Sequence, residues 1–247
     1  MNQVKTPTEI IAIRESGRML AHVLRFLEPQ VTEGITTLEL NRLAASELDR
    51  LGGQPAFLGF EGFPGVICIS VNDEIVHGIP GPRKLLSGDI VGLDFGVSYQ
   101  GMITDGATTV PVGAVSPEAT RLMTATREAL DEALKVVRRG ARIGDISQTV
   151  ERRLRRDGLG VVEDMSGHGV GHQVHEDPLI LNFGPAGRGM RLKEGMTIAI
   201  EPMATLGSHE VVMARDGWTI CSADGSLGSQ HEHTVLVLRD GCEVLTR

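Results

Sequence analysis

Leu85-Leu86-Ser87-Gly88-Asp89-Ile90-Val91-Gly92-Leu93-Asp94 is echoed later in the chain by Leu192-Lys193-Glu194-Gly195-Met196-Thr197-Ile198-Ala199-Ile200-Glu201. A shift of 107 residues sets Gly88 on Gly195 and Asp94 on Glu201. Each copy reads as a glycine turn, an apolar run of strand length and a terminal carboxylate. Short apolar strands after turns are common, so the echo alone is compatible with coincidence. Taken as real, it makes the chain two related halves, each delivering one acid to a shared centre.

Outward from these strands the pattern mixes helices and strands. Thr8 is expected to cap a helix from Glu9 to about Phe26, with Pro29 closing it, and a second helix is expected over Thr37 to Leu51. Strands are expected at Val66 to Val71 and Ile90 to Val97, then helices over Pro117 to Val137 and Ile143 to Arg156. The last third is strand-like at Thr197 to Ala204, Glu210 to Met213, Gly217 to Cys221 and His233 to Leu238. No Pro, Gly or Ser linker separates the pieces, which predicts one integrated α+β domain over residues 1–247.

Composition removes several function classes. Lys and Arg number 24 against 32 Asp and Glu, giving a net charge of −8, with 41% hydrophobic residues across 247 positions. That is too apolar for a disordered chain, and too acidic for a protein living on nucleic-acid phosphates. Cys68, Cys221 and Cys242 are few and odd in number, which fits free thiols in a reducing cytoplasm rather than a secreted disulfide framework. Glu9, Arg14 and Glu15 interrupt the apolar N-terminus, so no signal-peptide core is expected there. No apolar run approaches the roughly 20 residues that span a bilayer.

Four carboxylates sit in or beside apolar strand patterns, where an isolated charge would cost several kcal/mol to bury. They are Asp94, Asp105, Glu201 and Glu232. Singly, each reads as an exposed strand-end charge. Together with His168 they share one explanation, a pair of divalent cations bridged by hard oxygen ligands. Eleven residues separate Asp94 from Asp105, which suits a hairpin turning at Tyr99-Gln100-Gly101. His168, His172 and His175 have helical spacing, but Gly167, Gly169 and Gly171 argue against a helix. His231-Glu232-His233 lacks the helical spacing of a zinc-protease motif. His172, His231 and His233 therefore read as satisfied structural histidines, and His22 and His209 carry no motif.

These strings resemble a known family. Asn72-Asp73-Glu74-Ile75-Val76-His77-Gly78-Ile79-Pro80, Asp94, Asp105, Gly167-His168-Gly169-Val170-Gly171, His175-Glu176-Asp177-Pro178, Ile200-Glu201-Pro202-Met203 and Glu232-His233-Thr234 resemble the type I methionine aminopeptidases in their short, bacterial form. The similarity runs from about residue 5 to residue 238. It implies a pita-bread fold, two pseudo-symmetric halves around a dinuclear metal site, and removal of the initiator methionine from nascent chains, mainly when the second residue is small. It implies that Asp94 chelates one metal, Asp105 and Glu232 bridge both, and His168 and Glu201 complete the second. Co, Mn, Fe, Ni and Zn all suit this ligand set. By the same resemblance Glu201 takes a proton from the attacking water, His175 bonds the developing oxyanion and His77 meets the scissile nitrogen.

A side-chain pocket is also legible. Only eight aromatics occur, yet Phe57, Phe60 and Phe63 fall within seven residues, among Gly59, Gly62 and Pro64 that disfavour a helix. An irregular loop presenting rings suits a flexible thioether. The resemblance places Phe60, Phe63, Cys68 and Trp218 around the methionine side chain. This sequence departs from common members with Phe for Tyr at 60 and 63, a larger residue at Phe57 and Val174 where Phe is frequent. Two other readings compete: a proline-directed peptidase of the same fold, which usually carries an additional N-terminal domain, and a non-catalytic peptide-binding module of that fold, whose mark would be lost ligands, none of the five being missing here. A nascent-chain substrate makes a transient ribosome contact plausible for a monomeric enzyme. The Arg152-Arg153-Leu154-Arg155-Arg156 run reads instead as a solvated helix face, because Glu151 and Asp157 flank it.

Overall fold

Thr6 starts the first helix of the computed structural model, which describes residues 4–247. Its hydroxyl accepts from the Glu9 amide while Glu9 Oε2 accepts from the Thr6 amide at 2.7 Å, a reciprocal capping box with Pro7 in the first turn. The cap is therefore Thr6 rather than the expected Thr8, which has Ile11 rather than Glu three residues on. Helix α1 runs Pro7–Leu27 and α2 runs Thr37–Leu51, closed by Gly52 at φ 78°. Helices α3, Pro117–Leu134, and α4, Ile143–Arg156, belong to the second half. The expected extension of α3 to Val137 is replaced by tight turns, with Val136 and Val137 bonding back three residues.

The strands are β1 Gln54–Pro55, β2 Cys68–Val71, β3 Glu74–Val76, β4 Ile90–Tyr99, β5 Met102–Pro111, β6 Gly160–Val161, β7 Ser166–Gly169 and β8 Glu176–Leu181. They continue as β9 Thr197–Ile200, β10 Met203–Thr205, β11 Val211–Met213, β12 Ile220–Ser222, β13 Gly228–Gln230, β14 His233–Val237 and β15 Cys242–Val244. One sheet centres on β4, flanked by β5 on one edge and by β1 and β2 on the other. A second orders β15-β14-β9-β7-β8, and two three-stranded sheets, β13-β10-β6 and β11-β12-β3, complete the set. All pairings are antiparallel. The β4–β5 hairpin turns at Gln100 and Gly101, both at positive φ, as the sequence leads one to expect. The strand expected over Thr197 to Ala204 is instead broken at Glu201-Pro202, since proline offers no amide to a ladder.

The 107-residue echo is architectural. Leu20, Leu27, Leu40 and Leu48 of α1 and α2 pack on Ile69 and Leu93, and Leu122, Ala129, Ile146 and Leu154 of α3 and α4 pack on Ile198 and Val235. Each half thus covers one antiparallel strand pair, β4–β5 or β9–β14, with its own two helices. The halves meet where β5 lies against the entry to β14. There Glu232 N donates to Ala107 O at 2.8 Å, Ala107 N to Glu232 O at 3.3 Å, and the Thr234 hydroxyl to Asp105 O at 2.7 Å.

One surface expectation needs correction. Arg152, Arg155 and Arg156 are exposed, but Arg153 is only 4% exposed. It is ion-paired with Glu128, with Asp157 at 2.7 Å and with Glu132 at 3.7 Å, so it ties α4 to α3. Among the described residues no helix is long and apolar enough to cross a membrane.

Candidate active site

The seam brings the four carboxylates together. Asp94 and Asp105 sit on the paired strands β4 and β5, while Glu201 follows β9 and Glu232 precedes β14, whose register sets Ile200 opposite His233. His168 enters from β7, opposite Ala199 of β9. Its Nε2 lies 3.5 Å from Glu201 Oε1 and 3.9 Å from Asp105 Oδ2, while Nδ1 is 2.9 Å from Gly169 O. Asp105, His168 and Glu232 are buried with ligand atoms within 4.8 Å of one another. A glycine-rich strand permits this approach, because a side chain at Gly167 would strike Ala199 O and one at Gly169 would strike Asp177 O.

The electrostatics of this cluster demand a cation. Burial pushes the Asp94 carboxyl up to about 7, against a hydrogen bond with Asp105 that lowers it. Burial first, and the neighbouring carboxylates second, drive Asp105, Glu201 and Glu232 well above the ordinary range. No Lys or Arg lines the cavity to offset them. Asp94 Oδ1 and Glu232 Oε1 are buried without a hydrogen-bond partner, which leaves two acceptor oxygens with nothing donating to them. His168 is held down to about 4 by burial, hence neutral and able to ligate. Hard oxygens plus one neutral imidazole fit divalent metal ions. Gln230 orients the set, its amide donating to Glu201 Oε2 at 3.2 Å and Glu232 Oε2 at 3.4 Å. Sequence reading missed Gln230, although it stands two residues before Glu232 in the same polar-apolar junction.

Above this floor opens a cavity of about 360 Å³, lined by all five expected ligands. Phe57, Phe60, Phe63, Cys68, Val174 and Trp218 form its apolar wall. Phe63 meets Trp218 edge-on at 5.2 Å, and Phe60 meets His175 at 5.5 Å. His175 stands edge-on to His168 at 4.4 Å. His77 lines the cavity at φ 61°, and the following Gly78 admits no side chain because Ile69 O occupies that space. Burial depresses His77 to about 4 and also lowers His175, despite Glu61 nearby, so both imidazoles are neutral near pH 7. Glu61, Asp164, Met165, Ser166 and Leu179 complete the mouth. Sequence reading missed these five, since Asp164 to Ser166 lead into a glycine-rich strand with no clear periodicity.

His172, His231 and His233 stay out of the cavity, as expected. His172 Nε2 bonds Glu9 at 2.7 Å and His233 Nδ1 bonds Thr246 at 2.9 Å. His231 departs from expectation in one respect: it bonds the Met123 backbone, yet its buried Nε2 has no protein partner.

Comparison with known proteins agrees with this geometry. The pattern of metallopeptidase family M24 matches residues 11–239. A methionine aminopeptidase from Clostridium perfringens is 42% identical over 243 residues, covering 98% of both chains. The chain belongs to the methionine aminopeptidase family. A crystal structure of the Thermotoga maritima methionine aminopeptidase superposes with a TM-score of 0.97 at 40% identity, covering 99% of this chain and 98% of that one. The prolidase from Pyrococcus furiosus shares the fold at a TM-score of 0.81 and 24% identity, and this chain spans 65% of it. The fold is thus the α+β pita-bread of this metallopeptidase family, and the chain is a metal-dependent hydrolase using divalent ions.

Proposed function

We propose that this member of the family cleaves the peptide bond after an N-terminal methionine, acting as a cytoplasmic monomer on nascent polypeptides, mainly those with a small second residue. The observation that carries the reading is one cavity with a carboxylate-histidine floor and a thioether-sized wall of aromatic rings and Cys68. Sulfur against ring edges is favourable, and an unbranched chain fits where a branched one would meet Phe57 or Val174.

Asp94, Asp105, His168, Glu201 and Glu232 would hold two divalent ions, Asp105, His168 and Glu232 already having ligand atoms close together at the seam. Bound there, the ions supply positive charge that polarises the scissile carbonyl and acidifies water. Glu201, oriented by Gln230, accepts the proton released by the attacking water and returns it to the leaving amine. His175, neutral and packed edge-on against His168 and Phe60, donates a hydrogen bond to the developing oxyanion. His77, fixed by the tight Gly78 turn, meets the scissile nitrogen.

The proline-directed alternative shares the donor set, so substrate choice decides. Met-Gly-Met-Met and Gly-Pro substrates should be compared after chelation and after readdition of Mn²⁺ or Co²⁺. Metal-restored hydrolysis of the first alone supports the proposal. Preference for Gly-Pro overturns it, and binding of peptide without turnover at any metal load makes the chain a recognition module.

A further inference from the structure

His175 stands at the end of a loop that is anchored mainly at its beginning. Strand β7 delivers His168, and the chain then runs through Val170-Gly171-His172-Gln173-Val174-His175 before β8 starts at Glu176. Neighbouring strands hold the first two of these residues. Val170 N donates to Thr197 O at 3.2 Å, the Thr197 hydroxyl to Val170 O at 2.5 Å, and Ile103 N to Gly171 O at 2.6 Å. Beyond Gly171 the loop turns in on itself. Gly171 N donates to Gln173 O at 3.1 Å, and the amides of His172 and Gln173 both donate to the Glu176 carboxylate. This turn carries His175 and also Val174, which is 3% exposed in the pocket wall.

The start of α1 grips that turn from outside. His172 Nε2 lies 2.7 Å from Glu9 Oε1 and Nδ1 lies 3.5 Å from Glu176 Oε1, so one imidazole bridges the first helix and the end of the loop. Glu9 is aimed in advance. Its other oxygen, Oε2, accepts from the Thr6 amide in the α1 capping box, and the His172 bond first, with the Thr6 bonds next, holds its carboxyl down to about 2. An exposed ion pair usually contributes little, because two mobile side chains must be ordered to make it. Here the cap has already ordered the carboxylate, and the two side chains are only 31% and 30% exposed. The backbones are close as well, since a side chain at Gly171 would strike Lys5 Cε.

We propose that Glu9 and His172 are positioning residues, a clamp by which the capped end of α1 sets the place of His175 above the carboxylate floor. The proposal rests on the reading of His175 as the donor to the developing oxyanion. His172 precedes His175 by three residues in the same internally bonded turn, so a shift at one is passed to the other. A bond to a transition state depends on placement, and an error of about 1 Å costs up to about 10²-fold in rate. His172 itself lies outside the cavity and acts only through its neighbour. Because the turn also carries Val174, the clamp sets one wall of the side-chain pocket. Releasing it therefore changes both rate and side-chain choice, a double signature that lost stability alone does not produce.

The test compares His172→Ala, His172→Gln, Glu9→Ala, the E9A/H172A pair and Thr6→Ala, with His175→Ala as the reference, all as metal-loaded full chains. Each is measured for kcat and KM on a Met-peptide, the Met/Leu ratio of kcat/KM, metal content and hydrogen exchange across residues 170–176. His172→Ala should lower kcat by about fivefold to tenfold with both metals retained and KM little changed, since Glu176 still holds the far end of the turn. Its Met/Leu ratio should shift by at least about twofold. Exchange should quicken in residues 170–176 and not in α3 or α4. Glu9→Ala should match it, and the pair should be no worse than either, because both changes remove one bond. His172→Gln, whose amide can donate to Glu9, should recover most of the rate. Thr6→Ala breaks the cap and spares the clamp, so its melting temperature should fall by about 2–4 °C with kcat unchanged. Unchanged kcat and Met/Leu ratio in His172→Ala, loss of its metal, additive losses in the pair, or an equal fall of kcat in Thr6→Ala overturns the proposal. Undiminished kcat in His175→Ala would instead overturn the oxyanion reading, a failure seen in that variant alone.

Discussion

Lys5 Nζ donates to Glu176 Oε2 at 2.8 Å across 171 residues of sequence, with the two side chains 0% and 4% exposed. The other oxygen of Glu176 accepts from the amides of His172 at 2.5 Å and Gln173 at 3.1 Å. One carboxylate therefore fastens the loop that carries Val174 and His175 to the beginning of the chain, where Lys5 N is itself bonded to Gly195 O.

Lys5→Met should strand a buried carboxylate, at a cost of about 3 kcal/mol, and let the His175 loop shift. We expect kcat to fall roughly tenfold with both metals retained and KM little changed, since small misplacements near the reacting atoms are costly. The K5M/E176Q pair should recover part of the loss, because no unpaired charge remains. Equal kcat in wild type and K5M would remove Lys5 from any positioning role.

His175→Ala should keep its metals but lower kcat by roughly 10² or more, the usual loss for one transition-state hydrogen bond. Loss of metal on elemental analysis would instead make His175 a ligand. Asp105→Asn or Glu232→Gln should behave oppositely, shedding at least one ion and nearly all turnover.

His77 should give folding a pH dependence. Its folded value of about 4 lies below the ordinary 6.5, through burial first and His175 second. Between these values the unfolded chain binds the proton and the folded chain does not, so stability is full above about pH 6.5 and is lost as pH falls toward 4. His77→Asn, chosen because Asn tolerates a positive φ, should reduce the pH slope of the melting temperature over that window, the buried His168 and His233 supplying part of what remains. An undiminished slope would assign the effect to other groups.

What could be read from sequence, and what could not, follows from range. Asp94 and Glu201 were legible because each follows an apolar run after a glycine turn, a local pattern, although only Glu201 stands at a strand end, β4 continuing past Asp94 to Tyr99. His168 and the loop of phenylalanines were legible through their local company of glycines. Gln230 was invisible, because its value lies in bridging two carboxylates that only the seam brings together. The Lys5–Glu176 tie and the buried place of Arg153 were likewise hidden, since partners distant in sequence decide them. The Thr197 to Ala204 run misled because its apolar pattern is continuous, while Pro202 ends the ladder just after Glu201, which lines the cavity.

Phe57 decides the shape of the pocket, and its neighbour Gly96 offers a way to move it. The ring is 8% exposed, lines the cavity and lies across β4, where a Cβ added at Gly96 would come within 2.5 Å of Phe57 Cε1. It both packs inward and bounds the substrate space, so Phe57→Ala should cost about 3–5 kcal/mol of stability. It should also shift kcat/KM toward N-terminal norleucine or leucine by about tenfold relative to methionine, within the roughly 1–3 kcal/mol available to an apolar pocket. Gly96→Ala should do the reverse. A ring is stiff, so the added methyl drives it into the cavity, and KM for Met-peptides should rise while metal content holds. The F57A/G96A pair removes the collision and should return KM toward that of F57A alone. Measuring the Met/Leu ratio, KM and unfolding midpoint on all three variants settles the assignment: an unchanged ratio in F57A with an unchanged KM in G96A would leave Phe57 a packing residue only.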